Sequence, residues 1–214
     1  MNRSISLIVF IVPIITIGIS YTISVFYGYV DWCLPIIDGC TSISKVGRYG
    51  ISFYLYKILI IPSVILMIFF WLKIYLDVYK NVFLLFLSFV ACIFLIIYLI
   101  ALGFDGPLYR FMREIGIFAF FVFMPLCQIW LTISTPSEAI KSKFFLYLLI
   151  LLFIGFCFVY FYILPMDNDN YENIIEWNFA FFIFLFFPIF TFALRKQPKK
   201  WTGRQEPAVE IQKF

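Results

Sequence analysis

VFLLFLSFVACIFLIIYLIALGF, residues 82–104, runs for 23 residues without one Asp, Glu, Lys or Arg. A stretch this long and apolar meets the requirement of roughly 20 residues for a helix that crosses the hydrocarbon of a bilayer. Five comparable runs surround it, at 5–27, 51–72, 108–134, 144–164 and 173–194. Composition agrees, since 64% of the 214 residues are hydrophobic, only 13% are charged, and the mean hydropathy is +1.02. A soluble domain of this length has too little interior to hide so much apolar surface. The sequence therefore predicts an all-α, polytopic six-transmembrane-helix bundle over residues 1–194 with a basic cytoplasmic tail at 195–214. The polar remainder is too short for a second domain.

Orientation follows from the excess of Lys and Arg that cytoplasmic loops carry. With six spans and a cytoplasmic N-terminus, 11 of the 16 basic residues and four of the 12 acidic ones fall on the cytoplasmic side. That side is then net +7 and the other net −3. Both termini are expected to be cytoplasmic. The first span follows Met1-Asn2-Arg3 and lacks a small-residue cleavage site, so it reads as a retained signal anchor rather than a cleaved leader.

Within the spans, charge follows a parity. The first, third and fifth carry none, whereas the second holds Lys57, the fourth Arg113 and Glu114 with Arg110 at its start, and the sixth Glu176. The expected topology gathers all of these at the non-cytoplasmic end. A charge in the membrane costs a few kcal/mol unless it faces protein or water, so such a cluster points to a working site.

The chemistry open to that cluster is narrow. The chain has no His, which excludes Ser-His-Asp and Cys-His catalysis and imidazole proton relays. No Cys, Asp and Glu grouping has metal-site spacing, and no glycine-rich phosphate loop is present. No metal, cofactor or nucleic-acid partner is expected, and no catalytic residue is assigned. The remaining set is Asp105, Glu114 and Glu176 with Lys45, Arg48, Lys57, Arg110 and Arg113. Such groups can bind a phosphate or zwitterionic headgroup, or they can pair with one another and pin the helix ends together.

The loop after the first span adds two features. Cys33 and Cys40 enclose Leu-Pro-Ile-Ile-Asp-Gly on the side where an oxidising compartment would permit a disulfide. Two unpaired thiols are the alternative. Next comes Thr41-Ser42-Ile43-Ser44-Lys45-Val46-Gly47-Arg48, whose hydroxyls, glycine and cations lead into the second span. This pattern fits an anion cradle at a helix N-terminus or a plain capping segment.

Two of these stretches carry a family resemblance. Ser42-Ile43-Ser44 with Gly47 resembles the "ISDTG"-type loop of the FRAG/DRAM/SFK family. Ile175-Glu176-Trp177-Asn178, in a last span that basic residues follow, resembles that family's final "AEW" helix. The family contains the damage-regulated autophagy modulators and a GPI-anchor lipid-remodelling factor. The resemblance implies six spans, a role in membrane-lipid handling, and Ser42, Ser44, Gly47, Glu176 and Trp177 as matched positions. Lys45 stands where the relatives carry an acidic residue, and Arg113-Glu114 where some have a histidine.

Three functions follow in order of expectation. The first is binding or remodelling of a membrane lipid, a lipid anchor or a phospholipid headgroup, near the non-cytoplasmic leaflet. The second is a non-catalytic scaffold or trafficking regulator with a protein partner at the cytoplasmic tail. The third is a small-solute transporter, disfavoured because the charges lie at one end and the halves show no inverted repeat.

Overall fold

The structure, a computed structural model, describes residues 3–136, 139–140, 143–162 and 169–194. The basic tail at 195–214, and with it the expected partner site, lies outside these residues. Eight helices follow in chain order: α1 (Arg3–Phe26), α2 (Pro35–Asp38), α3 (Ile43–Val46), α4 (Gly50–Asp77), α5 (Val82–Ala101), α6 (Pro107–Ser134), α7 (Phe144–Tyr162) and α8 (Asp169–Ala193). Among the described residues no strand forms, and one isolated bridge joins Ile140 to Leu194.

Five of these helices, α1, α4, α5, α6 and α8, are long and apolar enough to cross a bilayer. Such a set is the mark of a multi-pass integral membrane protein. α7, 19 residues long, lies where the fifth span is expected. Large apolar side chains point outward along the long helices, such as Ile58 at 67% and Phe86 at 62% exposure, as suits surfaces that face lipid.

Three helix ends depart from the expected spans by three residues or more, one of them the start of α8, at Asp169 instead of 173. α4 continues to Asp77, five residues past the expected 72. α5 stops at Ala101 instead of running to 104, because Leu102 leaves the helical region and Gly103 turns with φ +85°.

Packing runs around a ring. α8 lies against α1, α1 against α4, α4 against α5 and α5 against α6, while α6 returns to α8 only along part of its length; α7 packs on α8. α1 meets α4 through small polar residues. Ser52 Oγ donates to Ser20 O at 3.1 Å, Ser24 Oγ sits 3.1 Å from Ser52 Oγ, and Thr16, Ser20 and Ser24 are fully buried. Small hydroxyl side chains let two helices approach closely and bond across the gap in an apolar medium.

α5 and α6 approach through Gly116, where an added Cβ would stand 2.8 Å from Phe94 O and 2.9 Å from Tyr98 N. The rest of the core is aromatic, with Phe70, Trp71 and Phe187 meeting edge to face. Such pairs contribute about 0.5–1.5 kcal/mol beyond the area they bury.

The α5–α6 contact supplies a prediction. Gly116→Leu forces a side chain against backbone and is expected to destabilise by about 1–3 kcal/mol. Gly18→Leu, at a site with nothing within 4 Å, is expected to leave stability unchanged. Thermal unfolding in detergent compares the two, and equal effects would refute the close approach.

Candidate functional site

The segment between α1 and α4 folds into a cap over one end of the bundle. Cys33 and Cys40 form a disulfide, with Cα atoms 6.5 Å apart, around the single turn of α2. Pro35 opens α2 and Gly39 ends it at φ +64°, the left-handed conformation that favours glycine. An added Cβ at Gly39 would collide with the carbonyl of Asn170 on α8. Tyr21 of α1 grips the same loop, since its hydroxyl donates to Cys33 O at 2.7 Å and accepts from Cys33 N–H at 2.8 Å.

The first turns of α8 hold the cap down. Asn173 Nδ2 donates to Gly39 O at 2.7 Å, Trp177 Nε1 to Thr41 O at 2.8 Å, and Asn178 Nδ2 to Ile36 O at 3.1 Å. Glu176 Oε2 accepts from Ile43 N–H at 3.1 Å. Positions 173, 176 and 177 share one helix face by their i, i+3, i+4 spacing. Trp177 also meets Tyr21 edge-on, ring centroids 6.0 Å apart.

Where the cap, the end of α5, α6 and α8 come together, they bound a cleft of about 1490 Å³. It lies on the seam where the ring is weakest. Phe121 and Phe179 approach across it at 6.1 Å, and Gln128 Nε2 donates to Ile183 O at 2.9 Å, so the two helices join deeper in the bundle. The mouth is polar. Ser42, Ser44, Lys45 and Arg48 line it from the cap, Asp105, Arg110, Arg113 and Glu114 from α6 and the turn before it, and Glu172 and Glu176 from α8. Below, Ile117, Phe118, Val122, Leu126 and Ile129 make an apolar wall on α6.

The charged residues inside the spans separate into two groups. Arg110 and Glu114 form an exposed i,i+4 ion pair at 2.9 Å. Arg113 Nη1 donates to Ala101 O at 3.2 Å, at the end of α5, and to Phe104 O at 2.6 Å in the turn after it, where a cation suits the negative end of the helix dipole. Lys57 does the same from the other side, donating to Ile100 O at 3.3 Å between the rings of Phe53 and Phe104. Lys57 therefore does not line the cleft. Gly47, backed by the Tyr56 ring, and Trp177, turned to the cap, also lie away from it.

The anion cradle is already filled. Ser42 Oγ accepts from Lys45 N–H at 3.1 Å, and Glu176 takes the Ile43 N–H, so the protein's own groups occupy the start of α3. One residue escapes a sequence reading altogether. Tyr98, in the charge-free α5, lines the cleft at 1% exposure. A tyrosine inside a uniformly apolar run carries no local signal of this. Asn173, one turn before Glu176, offered a weak one as a polar residue at the start of a span.

No family model, curated protein or solved structure matches this chain.

Trp177→Phe keeps the ring near Tyr21 and removes the bond to Thr41 O, at an expected cost of about 1 kcal/mol. Paired Cys33→Ser and Cys40→Ser substitutions are expected to cost about 2–3 kcal/mol, the loop-closure estimate for so short a loop. Reductant should lower the melting temperature of the parent and leave the double variant unchanged. A reductant-insensitive parent would refute a stabilising bond.

Proposed function

We propose that the chain is a six-span membrane protein with both termini cytoplasmic that holds a membrane lipid in the α6–α8 cleft. In this reading the headgroup sits at the capped, non-cytoplasmic end, and the protein binds or presents the lipid for remodelling. The observation that carries it is a cleft with a charged mouth over an apolar wall. Its size, about 1490 Å³, exceeds the roughly 300–1,000 Å³ of small-molecule pockets. From Glu114 to Ile129, α6 rises about 22 Å at 1.5 Å per residue, enough to accompany an acyl chain through one leaflet of about 15 Å.

Two further points support the reading. At the end opposite the cap stand Arg3, Lys73, Lys80 and Lys143 against Asp77 among the described residues, the bias expected of a cytoplasmic face. The two stretches that resemble the FRAG/DRAM/SFK family also touch, through Glu176 and the Ile43 N–H, 133 residues apart.

A second reading has its own support. Lys57, Arg110 and Arg113 are all satisfied inside the chain, as a structural clamp within a non-catalytic scaffold requires.

Native mass spectrometry with lipid analysis on gently extracted protein separates the two. The parent is expected to retain a defined lipid. Val122→Trp, which fills the apolar wall, should lose it about tenfold, a change of about 1.4 kcal/mol. Ile58→Trp, on a lipid-facing side away from the cleft, should retain it. No selective lipid on the parent would favour the scaffold.

A further inference from the structure

The mouth of the cleft contains committed and uncommitted charges, and the uncommitted ones specify a headgroup. Arg110 is spent on Glu114, Arg113 on the carbonyls of Ala101 and Phe104, and Glu176 on the Ile43 N–H. Lys45 and Arg48 remain on the cap side, with Asp105 and Glu172 on the flanks. Among the described residues these four line the cleft and make no ion pair within 4.0 Å and no side-chain hydrogen bond. Two cations and two carboxylates sum to zero.

One buried polar atom points to what should lie among them. Arg48 Nε, on one edge of the guanidinium fork, is buried without a partner. Buried polar groups of this kind are normally satisfied, and a guanidinium edge suits a phosphodiester oxygen. The hydroxyls of Ser42 and Ser44, 3.0 Å apart, stand on the same side.

We infer that the cleft takes a zwitterionic phospholipid headgroup, an alkylammonium phosphodiester, in preference to an anionic one. This inference rests on the lipid-binding reading above. The phosphate meets Arg48 and Lys45, with one hydroxyl of the Ser42–Ser44 pair as a further donor. The ammonium meets Asp105 and Glu172. An anionic headgroup would satisfy the two cations and leave both carboxylates facing a net negative ligand, which like-charge repulsion disfavours.

The test uses the full chain, stripped of lipid in detergent and offered equimolar phosphatidylcholine, phosphatidylethanolamine, phosphatidylglycerol and phosphatidylserine, with bound species read by native mass spectrometry. The zwitterionic pair is expected to exceed the anionic pair about tenfold, equivalent to about 1.4 kcal/mol. Asp105 and Glu172 are both exposed, so the Asp105→Asn, Glu172→Gln double variant should melt with the parent. Its preference should move to the anionic lipids. An anionic preference in the parent, or a double variant with the parent's selectivity, would overturn the inference while leaving lipid binding in place. Binding of no lipid defeats the underlying reading instead. Soluble phosphocholine at equal concentration should not displace the lipid, because it forgoes the apolar wall; displacement would overturn the lipid assignment.

Discussion

The grip of α8 on the cap is the constraint from which the capped end of the molecule follows. A loop that crosses the end of a helical bundle exposes backbone groups that must find partners where water is scarce. Here Asn173, Glu176, Trp177 and Asn178 supply them, three donating to carbonyls and one accepting from an N–H. The disulfide and Tyr21 shape the loop that α8 receives, and Gly39 lets the two backbones come close enough to do so. With the cap fixed, Lys45 and Arg48 are held over the seam between α6 and α8.

The end of α5 accounts for the most conspicuous charges in the membrane. A helix that stops within the bundle leaves carbonyls without partners and a partial negative charge at its C-terminus. Lys57 and Arg113 reach those carbonyls from opposite sides, and Lys57 is further sheltered between Phe53 and Phe104. This arrangement gives both cations a structural task. It also narrows the set left for a ligand to groups contributed by the cap, the α5–α6 turn and α8.

Much of the architecture was legible because a long charge-free run admits few structures in a membrane. The runs at 5–27, 51–72, 82–104, 108–134 and 173–194 each contain a helix long and apolar enough to cross, and Cys33 and Cys40 are bonded. The candidate site was legible as a neighbourhood of residues and not as a set of contacts. Ser42, Ser44, Lys45, Arg48, Asp105, Arg110, Arg113, Glu114 and Glu176 do converge on one cleft. Yet Glu176 serves the backbone of α3, and Lys57 faces the far side of α5, because the rotation of α4 about its axis leaves no trace in spacing. The hydrogen bonds from α8 to the cap connect positions more than 130 apart and have no local pattern at all. Tyr98 was invisible for a related reason: its place on the cleft appears only once the surrounding helices are packed.

The separation of those partners sets an order of assembly. α1 and the cap loop are synthesised 133 residues or more before the α8 groups that complete them. Until α8 enters the membrane, the carbonyls of Ile36, Gly39 and Thr41 and the N–H of Ile43 lack their eventual partners. The cap therefore cannot make these four bonds before α8 packs against it, and a chain truncated before α8 would leave those backbone groups without these partners.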